Sequence, residues 1–237
     1  MSERKPARLI VLPPSHYCER ARWALDRAMV RYREERWAVG VHLPLARRIA
    51  PKSTLPILDT GDQVIQGSDR ILDWIGLPGA DPELEGRLSE RIGPLIRRYL
   101  YAGALNEPRS PVRNVVLDGV PAWQAAIGRV AWPAIRRRMI QQLDARPELL
   151  QALEGELNGE LTWLDDRMRE RRFLVGDAFG RADITAASLL SPLARPEALP
   201  IYRKGKLPDA IEATLARWAA RPSLRWVSET YAAERHA

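Results

Sequence analysis

The period of apolar and polar positions changes near residue 78. Before it, Arg8–Leu12 (RLIVL) is a short apolar run closed by two prolines, which predicts a buried strand. From His16 to about Met29 the spacing is helical. Tyr17, Ala21, Ala24, Leu25 and Ala28 share one face, while Glu19, Arg20, Arg22, Asp26 and Arg27 fall mostly elsewhere. Ser15 stands where its hydroxyl can accept a first-turn N–H and cap this helix. RYREERWAV, residues 31–39, has strand content. Residues 40–53, GVHLPLARRIAPKS, hold two prolines and no clean period, which predicts a loop with one helical turn. TLPILDTGDQVIQGS predicts two strands about a turn at Asp59–Asp62. SDRILDWIG predicts a helix capped by Ser68, buried through Ile71, Leu72 and Ile75, and stopped by Gly76.

LPGADPEL, residues 77–84, carries two prolines and a glycine and reads as linker. Beyond it helical periodicity dominates. Leu88, Ile92, Leu95, Ile96 and Tyr99 make one stripe, and Leu153, Leu157, Leu161, Leu164 and Met168 another. Pro133 should split or kink a helix near residue 130. Trp218 and Trp226 fall on short helices separated by Pro222. The expected class is α+β. The expected division is an N-terminal α/β domain over residues 1–78, a linker over 79–88 and an all-helical domain over 89–237.

Composition narrows the chemistry. One cysteine among 237 residues excludes an internal disulfide and points to a reducing, cytoplasmic setting. No apolar run reaches the length of a membrane span, and the start, MSERKPARLIVLPP, has too short an apolar core for a signal peptide. The net charge of +7 is spread: residues 1–78 carry 13 Lys/Arg against 9 Asp/Glu, the remainder 24 against 21. The one basic run, Arg136–Arg138, reads as a solvated helix face, so neither nucleic acid nor membrane is expected as a partner. His16, His42 and His236 with Cys18 have no metal-ligand spacing, so no metal is expected.

Four stretches carry the candidate chemistry: SHYCERARWAL, TLPIL, QGSDRILDWI and FLVGDAFGRADITAASLL. From the residues alone, Ser15 is a cap or a hydroxyl donor. Cys18 is a small buried hydrophobe or a working thiol, and Tyr17 a core aromatic or an acid. In this order and spacing, the four stretches resemble the glutathione transferase superfamily over nearly the whole chain.

That resemblance implies a thioredoxin-like domain followed by a helical bundle. It implies glutathione as co-substrate. Ser15 matches the position placed against the glutathione sulfur, with Cys18 the second choice. Pro56 matches a cis-proline, and Leu55 the residue whose backbone pairs with the cysteinyl part of glutathione. Ser68 matches the serine that holds the γ-glutamyl carboxylate. Where the family has an acid before that serine the chain has Gly67, with Asp69 next door. Arg47, Arg48 and Lys52 lie where relatives supply a cation for the glycyl carboxylate, and Lys52 is the choice. Asp183 matches the acid of a helix-start folding signal, with Gly180 at its cap.

The implied chemistry is thiolate formation. A free thiol ionises near pH 8.5, so helix N–H groups and a hydroxyl donor must favour the anion. The implied function is transfer of the glutathione thiolate to a hydrophobic electrophile, in a pocket between the domains lined by Tyr99, Tyr101 and Trp132. The alternatives are a catalytically silent binding or regulatory protein, as in relatives resembling the stringent starvation protein, and a glutathione-dependent thiol reductase using Cys18. The family pattern further implies a homodimer.

Overall fold

A computed structural model describes residues 6–106 and 110–235, so the basic leader at residues 1–5 and His236 lie outside it. The chain divides into two compact units, residues 1–78 with 116–135, and residues 79–115 with 136–237.

The first unit holds a four-stranded sheet in the order β2-β1-β3-β4. Its elements are β1 (Ala7–Val11), α1 (His16–Arg27), β2 (Tyr32–Arg36), α2 (His42–Ala46), β3 (Ile57–Asp59), β4 (Val64–Gln66) and α3 (Ser68–Ile75). β2 runs parallel to β1, and α1 supplies the crossover that a parallel pair needs. β3 and β4 complete the sheet antiparallel, which is the thioredoxin-like arrangement.

β1 is central because its apolar run can be buried on both faces. Leu9 and Val11 pack with Cys18, Ala21, Leu25, Leu58, Ile65 and Ile71. Ile10, pointing the other way, packs with Ala46, Ala50 and Ile57. The strand expected over 31–39 is shorter, at Tyr32–Arg36, because only this part pairs with β1. The helical turn expected in residues 40–53 is α2.

Register fixes what meets at one edge of this sheet. Ile10 pairs with Ile57, and Ile57 pairs with Gln66. The end of β1, the beginning of β3 and the end of β4 therefore lie side by side. Everything that follows or precedes them directly is gathered there: Leu12–Ser15, Leu55–Pro56 and Gly67–Ser68.

Residues 116–135 belong with the first unit, whereas the expected division put them in the helical domain. Buried Gln124 accepts from the Ala38 N–H at 2.8 Å, Arg36 approaches Asp118 at 3.7 Å, and Ile135 lies against Gly40. Sequence periodicity shows that a segment is helical but not which core it joins.

The remaining described elements are helices. α4 (Pro82–Arg87) occupies most of the expected linker, capped by Asp81, and runs through a π-helical turn into α5 (Gly93–Ala104). α6 (Val112–Val116), α7 (Ala122–Val130) and α8 (Trp132–Leu143) follow, with the break between α7 and α8 next to Pro133. α9 (Leu150–Met168), α10 (Arg181–Ala194), α11 (Asp209–Trp218) and α12 (Pro222–Glu234) complete the bundle. Every residue of both predicted leucine-rich stripes is buried.

Asp183 is wholly buried at the start of α10, accepting from the Gly180 and Leu174 N–H groups, each at 2.8 Å. Gly180 has no side chain to cap with, so the acid alone satisfies these donors. No described helix is long and apolar enough to cross a membrane.

Candidate ligand site at two helix starts

The gathered edge presents two helix N-termini and a stretch of unpaired backbone. At the first, Ser15 has extended backbone and its Oγ accepts from the Cys18 N–H at 3.3 Å. The predicted cap is therefore present. Ser15 is half-buried, and its hydroxyl proton meets no acceptor among the described residues. Cys18, three residues on, points the other way. It is wholly buried, and its Sγ accepts from the Leu12 N–H at 3.4 Å. Burial pushes its thiol pKa up, against the opposing pull of Arg22 and of the Ser15 hydrogen bond. Tyr17 is half-buried, beside the His16 ring at 4.6 Å and the Arg20 guanidinium at 5.8 Å, rather than in the core face first read for it.

Between the helix starts the chain crosses a cis peptide bond at Leu55–Pro56. No backbone hydrogen bond among the described residues engages Leu55, although Pro56 accepts from the Gly67 N–H at 3.0 Å. The Leu55 N–H and C=O are thus an open strand edge, able to pair with an extended ligand. The preceding loop is held by Gln66. Its side chain donates to the carbonyls of Lys52 and Thr54, at 2.7 and 2.8 Å, and accepts from the Lys52 N–H at 3.0 Å. Nothing in the local sequence singled out Gln66, because its partners lie 12 and 14 positions away. Lys52, Arg47 and Arg48 are exposed, and none is in an ion pair among the described residues.

The second helix start departs from expectation. Ser68 does not cap α3. Gly67 holds the N-cap position, with its carbonyl accepting from the Ile71 N–H, and Ser68 is one residue inside. Gly67 has a φ of +103°, a conformation open to glycine and costly to any other residue. This explains why no acid stands there. A Cβ at this position would lie 2.6 Å from Asp69 Oδ1, so the Asp69 carboxylate already occupies that space.

Ser68 itself is buried and accepts from Arg20, from Nε at 3.0 Å and from Nη2 at 2.7 Å. Arg20 is only 2% exposed, although helical phase assigned it to the outer side of α1. The periodic reading failed here because a charged residue is not counted as core, while α1 packs directly on α3. The signal available in the sequence was the run Glu19–Arg20–Ala21–Arg22, too charged for a helix covered by a neighbour. Glu19 is buried as well, and Arg22 bridges Glu19 and Glu34.

Of the aromatic candidates, Tyr99 is core. It is fully buried, with its hydroxyl donating to Glu154 at 3.3 Å and its ring 5.7 Å from Trp218. Tyr101 and Trp132 are half-buried. Among the described residues no group of His, Cys, Asp or Glu is arranged to hold a metal.

A thioredoxin-like sheet with a cis-proline at a strand edge, joined to a helical bundle, defines a class of fold. Residues 9–77 match the glutathione S-transferase N-terminal domain, and residues 123–221 match the glutathione S-transferase C-terminal domain. The chain belongs to the glutathione S-transferase superfamily. Among solved structures it is similar to glutathione transferase GSTFuA3 from Phanerochaete chrysosporium, at 14% identity and a TM-score of 0.66 over 99% of both chains. It is similar to the beta-etherase LigF from Sphingobium sp. strain SYK-6, at 15% identity and a TM-score of 0.58, over 95% of this chain and 100% of that one. A third is the theta class glutathione S-transferase from the citrus canker pathogen Xanthomonas axonopodis pv. citri, solved with glutathione bound. It shares 18% identity and a TM-score of 0.55 over 98% of this chain and 99% of that one. No curated protein matches the chain in sequence.

Proposed function

We propose that the protein binds glutathione at this sheet edge and transfers its thiolate to a hydrophobic electrophile. The observation that carries the reading is the unpaired backbone of Leu55 beside cis Pro56, at the edge shared by the starts of α1 and α3. An extended tripeptide pairing with Leu55 has its sulfur toward Ser15 and its γ-glutamyl end toward Ser68. The bound glutathione of the Xanthomonas axonopodis structure supports the ligand class. Ser15 then donates its free proton to the sulfur, and the first-turn N–H groups of α1 add positive potential, both favouring the thiolate. Asp69 fills the space of the absent acid at 67 and faces the γ-glutamyl ammonium. Lys52, exposed and outside any ion pair among the described residues, meets the glycyl carboxylate. The protein would work in the cytoplasm as a homodimer.

The reductase alternative needs Cys18 to attack a disulfide as a thiolate. Its burial and raised pKa oppose that. Two measurements test the reading. Calorimetry with glutathione should give saturable heat at or below millimolar ligand. A panel of chromogenic electrophiles should then report conjugation that Ser15→Ala slows by about tenfold or more, as expected for one lost donor to a developing anion. Cys18→Ala should leave the rate unchanged. Binding without turnover of any electrophile would favour the silent binding protein. Loss of turnover in Cys18→Ala alone would favour the reductase.

A further inference from the structure

We infer that Arg20 is a positioning residue for ligand recognition: it turns Ser68 into an outward hydrogen-bond donor and charges the subsite behind it. The inference rests on the glutathione reading and identifies what makes the γ-glutamyl end selective for a carboxylate.

A serine oxygen has two lone pairs and one proton. Arg20 directs Nε–H and Nη2–H at that one oxygen, at 3.0 and 2.7 Å. Both lone pairs are thereby engaged, and the proton must point away from the guanidinium. No acceptor for it exists among the described residues, and Ser68 is 2% exposed. A buried O–H without an acceptor is costly in the free protein, so a ligand that supplies an acceptor gains what the free protein lacks. The acceptor best suited is an anion, for two reasons. The Arg20 charge lies directly behind the hydroxyl and polarises its O–H toward the ligand. The N-terminus of α3, with its unpaired N–H groups, adds potential of the same sign. Arg20 is confined among α1, Tyr17 and α3, so its charge is little screened by solvent. The neighbouring Asp69 carboxylate, in the space a Cβ at Gly67 would take, adds a negative charge, and the pair of signs fits the zwitterionic end of a γ-glutamyl group.

A structural reading of the same contact exists: Arg20 ties α1 to α3 and does nothing more. The two differ in how ligand chemistry is sensed. The test is calorimetric titration with glutathione and with its 4-aminobutyryl analogue, which lacks only the γ-glutamyl α-carboxylate. Wild-type protein, Arg20→Met and Arg20→Lys are compared, each checked for folding by circular dichroism. The wild type should prefer glutathione by about thirtyfold, and Arg20→Met should reduce that preference to about threefold or less. Arg20→Lys, which keeps the charge but not the fork, should fall between. A strut alone would weaken both ligands equally. An undiminished preference in Arg20→Met therefore overturns the inference while leaving glutathione binding intact. If Arg20→Met does not fold, Arg20→Lys decides, and an undiminished preference there overturns it. Absence of glutathione binding by the wild type overturns the glutathione reading and this inference with it.

Discussion

Two helix starts in the first unit each carry one serine, and they use it in opposite ways. At α1, Ser15 bonds its own helix three residues on, is half-buried, and its own proton has no acceptor among the described residues. At α3, Ser68 leaves capping to Gly67 and accepts a guanidinium from another helix. The first arrangement is a local one that four residues of sequence specify. The second depends on a contact between positions 48 apart. Equal side chains at equivalent-looking helix starts can therefore differ in what their loss exposes. Losing Ser15 frees one uncharged N–H, that of Cys18, beside a residue that is only half-buried. Losing Ser68 removes the hydroxyl that accepts from both Nε and Nη2 of a buried guanidinium.

That contrast orders the expected effects. Ser68→Ala should have the largest, about 2–4 kcal/mol in urea unfolding, because buried charged donors lose their acceptor. A cost as small as that of Ser15→Ala would mean that water reaches Arg20, and the contrast would fail. Next is Gly67→Ala. Its φ of +103° and the 2.6 Å approach to Asp69 Oδ1 together predict a loss of about 1–3 kcal/mol. Pairing it with Asp69→Ala should recover the part due to the clash and leave the part due to backbone conformation. Full recovery would show that glycine is there only to make room for Asp69.

The same division between local and distant contacts explains what the sequence disclosed. The cap at Ser15, the stop at Gly76 and both leucine stripes follow from spacing over a few residues, whereas the helix capped by Asp81 lies in a stretch that reads as linker. The strand of 8–12 announced itself by an apolar run needed for burial on two faces. Ser68 reads as a cap in the sequence and is not one, since a serine before an apolar run looks the same whether it caps the helix or accepts from another. Arg20 and Gln66 were invisible: their partners at 68, and at 52 and 54, become neighbours only after the sheet edge forms. The return of residues 116–135 to the first unit was hidden for the same reason. Its evidence is a glutamine side chain on the backbone of Ala38.

Ser15→Ala comes third, at about 1 kcal/mol of stability for a lost cap. If the proposed function holds, its effect on conjugation exceeds its effect on folding, since there the free proton rather than the cap serves the sulfur. Equal changes in both would reduce Ser15 to a cap, and the two helix starts would then differ only in depth.

The smallest effect separates the α1 start from the strand that leads into it. Arg8 on β1 donates from Nε to Glu35 on β2 at 3.1 Å, and approaches Asp59 on β3 at 3.3 Å. Its hydrogen bond to Glu35 holds that carboxyl below the usual range, with burial opposing and Arg33 assisting. A depressed carboxylate pKa means that the folded state binds its proton later than the unfolded chain does. The contribution is therefore present above about pH 4.5 and is lost as pH falls through the lower folded value. Because Arg8 is 40% exposed, solvent screening limits the pair to about 0.2–1 kcal/mol. Urea midpoints measured between pH 3 and 7 should fall on the acid side, and Glu35→Gln should flatten that fall slightly. Combined with Ser15→Ala, the two losses should add, since the cap and the strand clamp share no partner. A coupling larger than about 0.5 kcal/mol would mean that the α1 start is set by the sheet as much as by its own four residues.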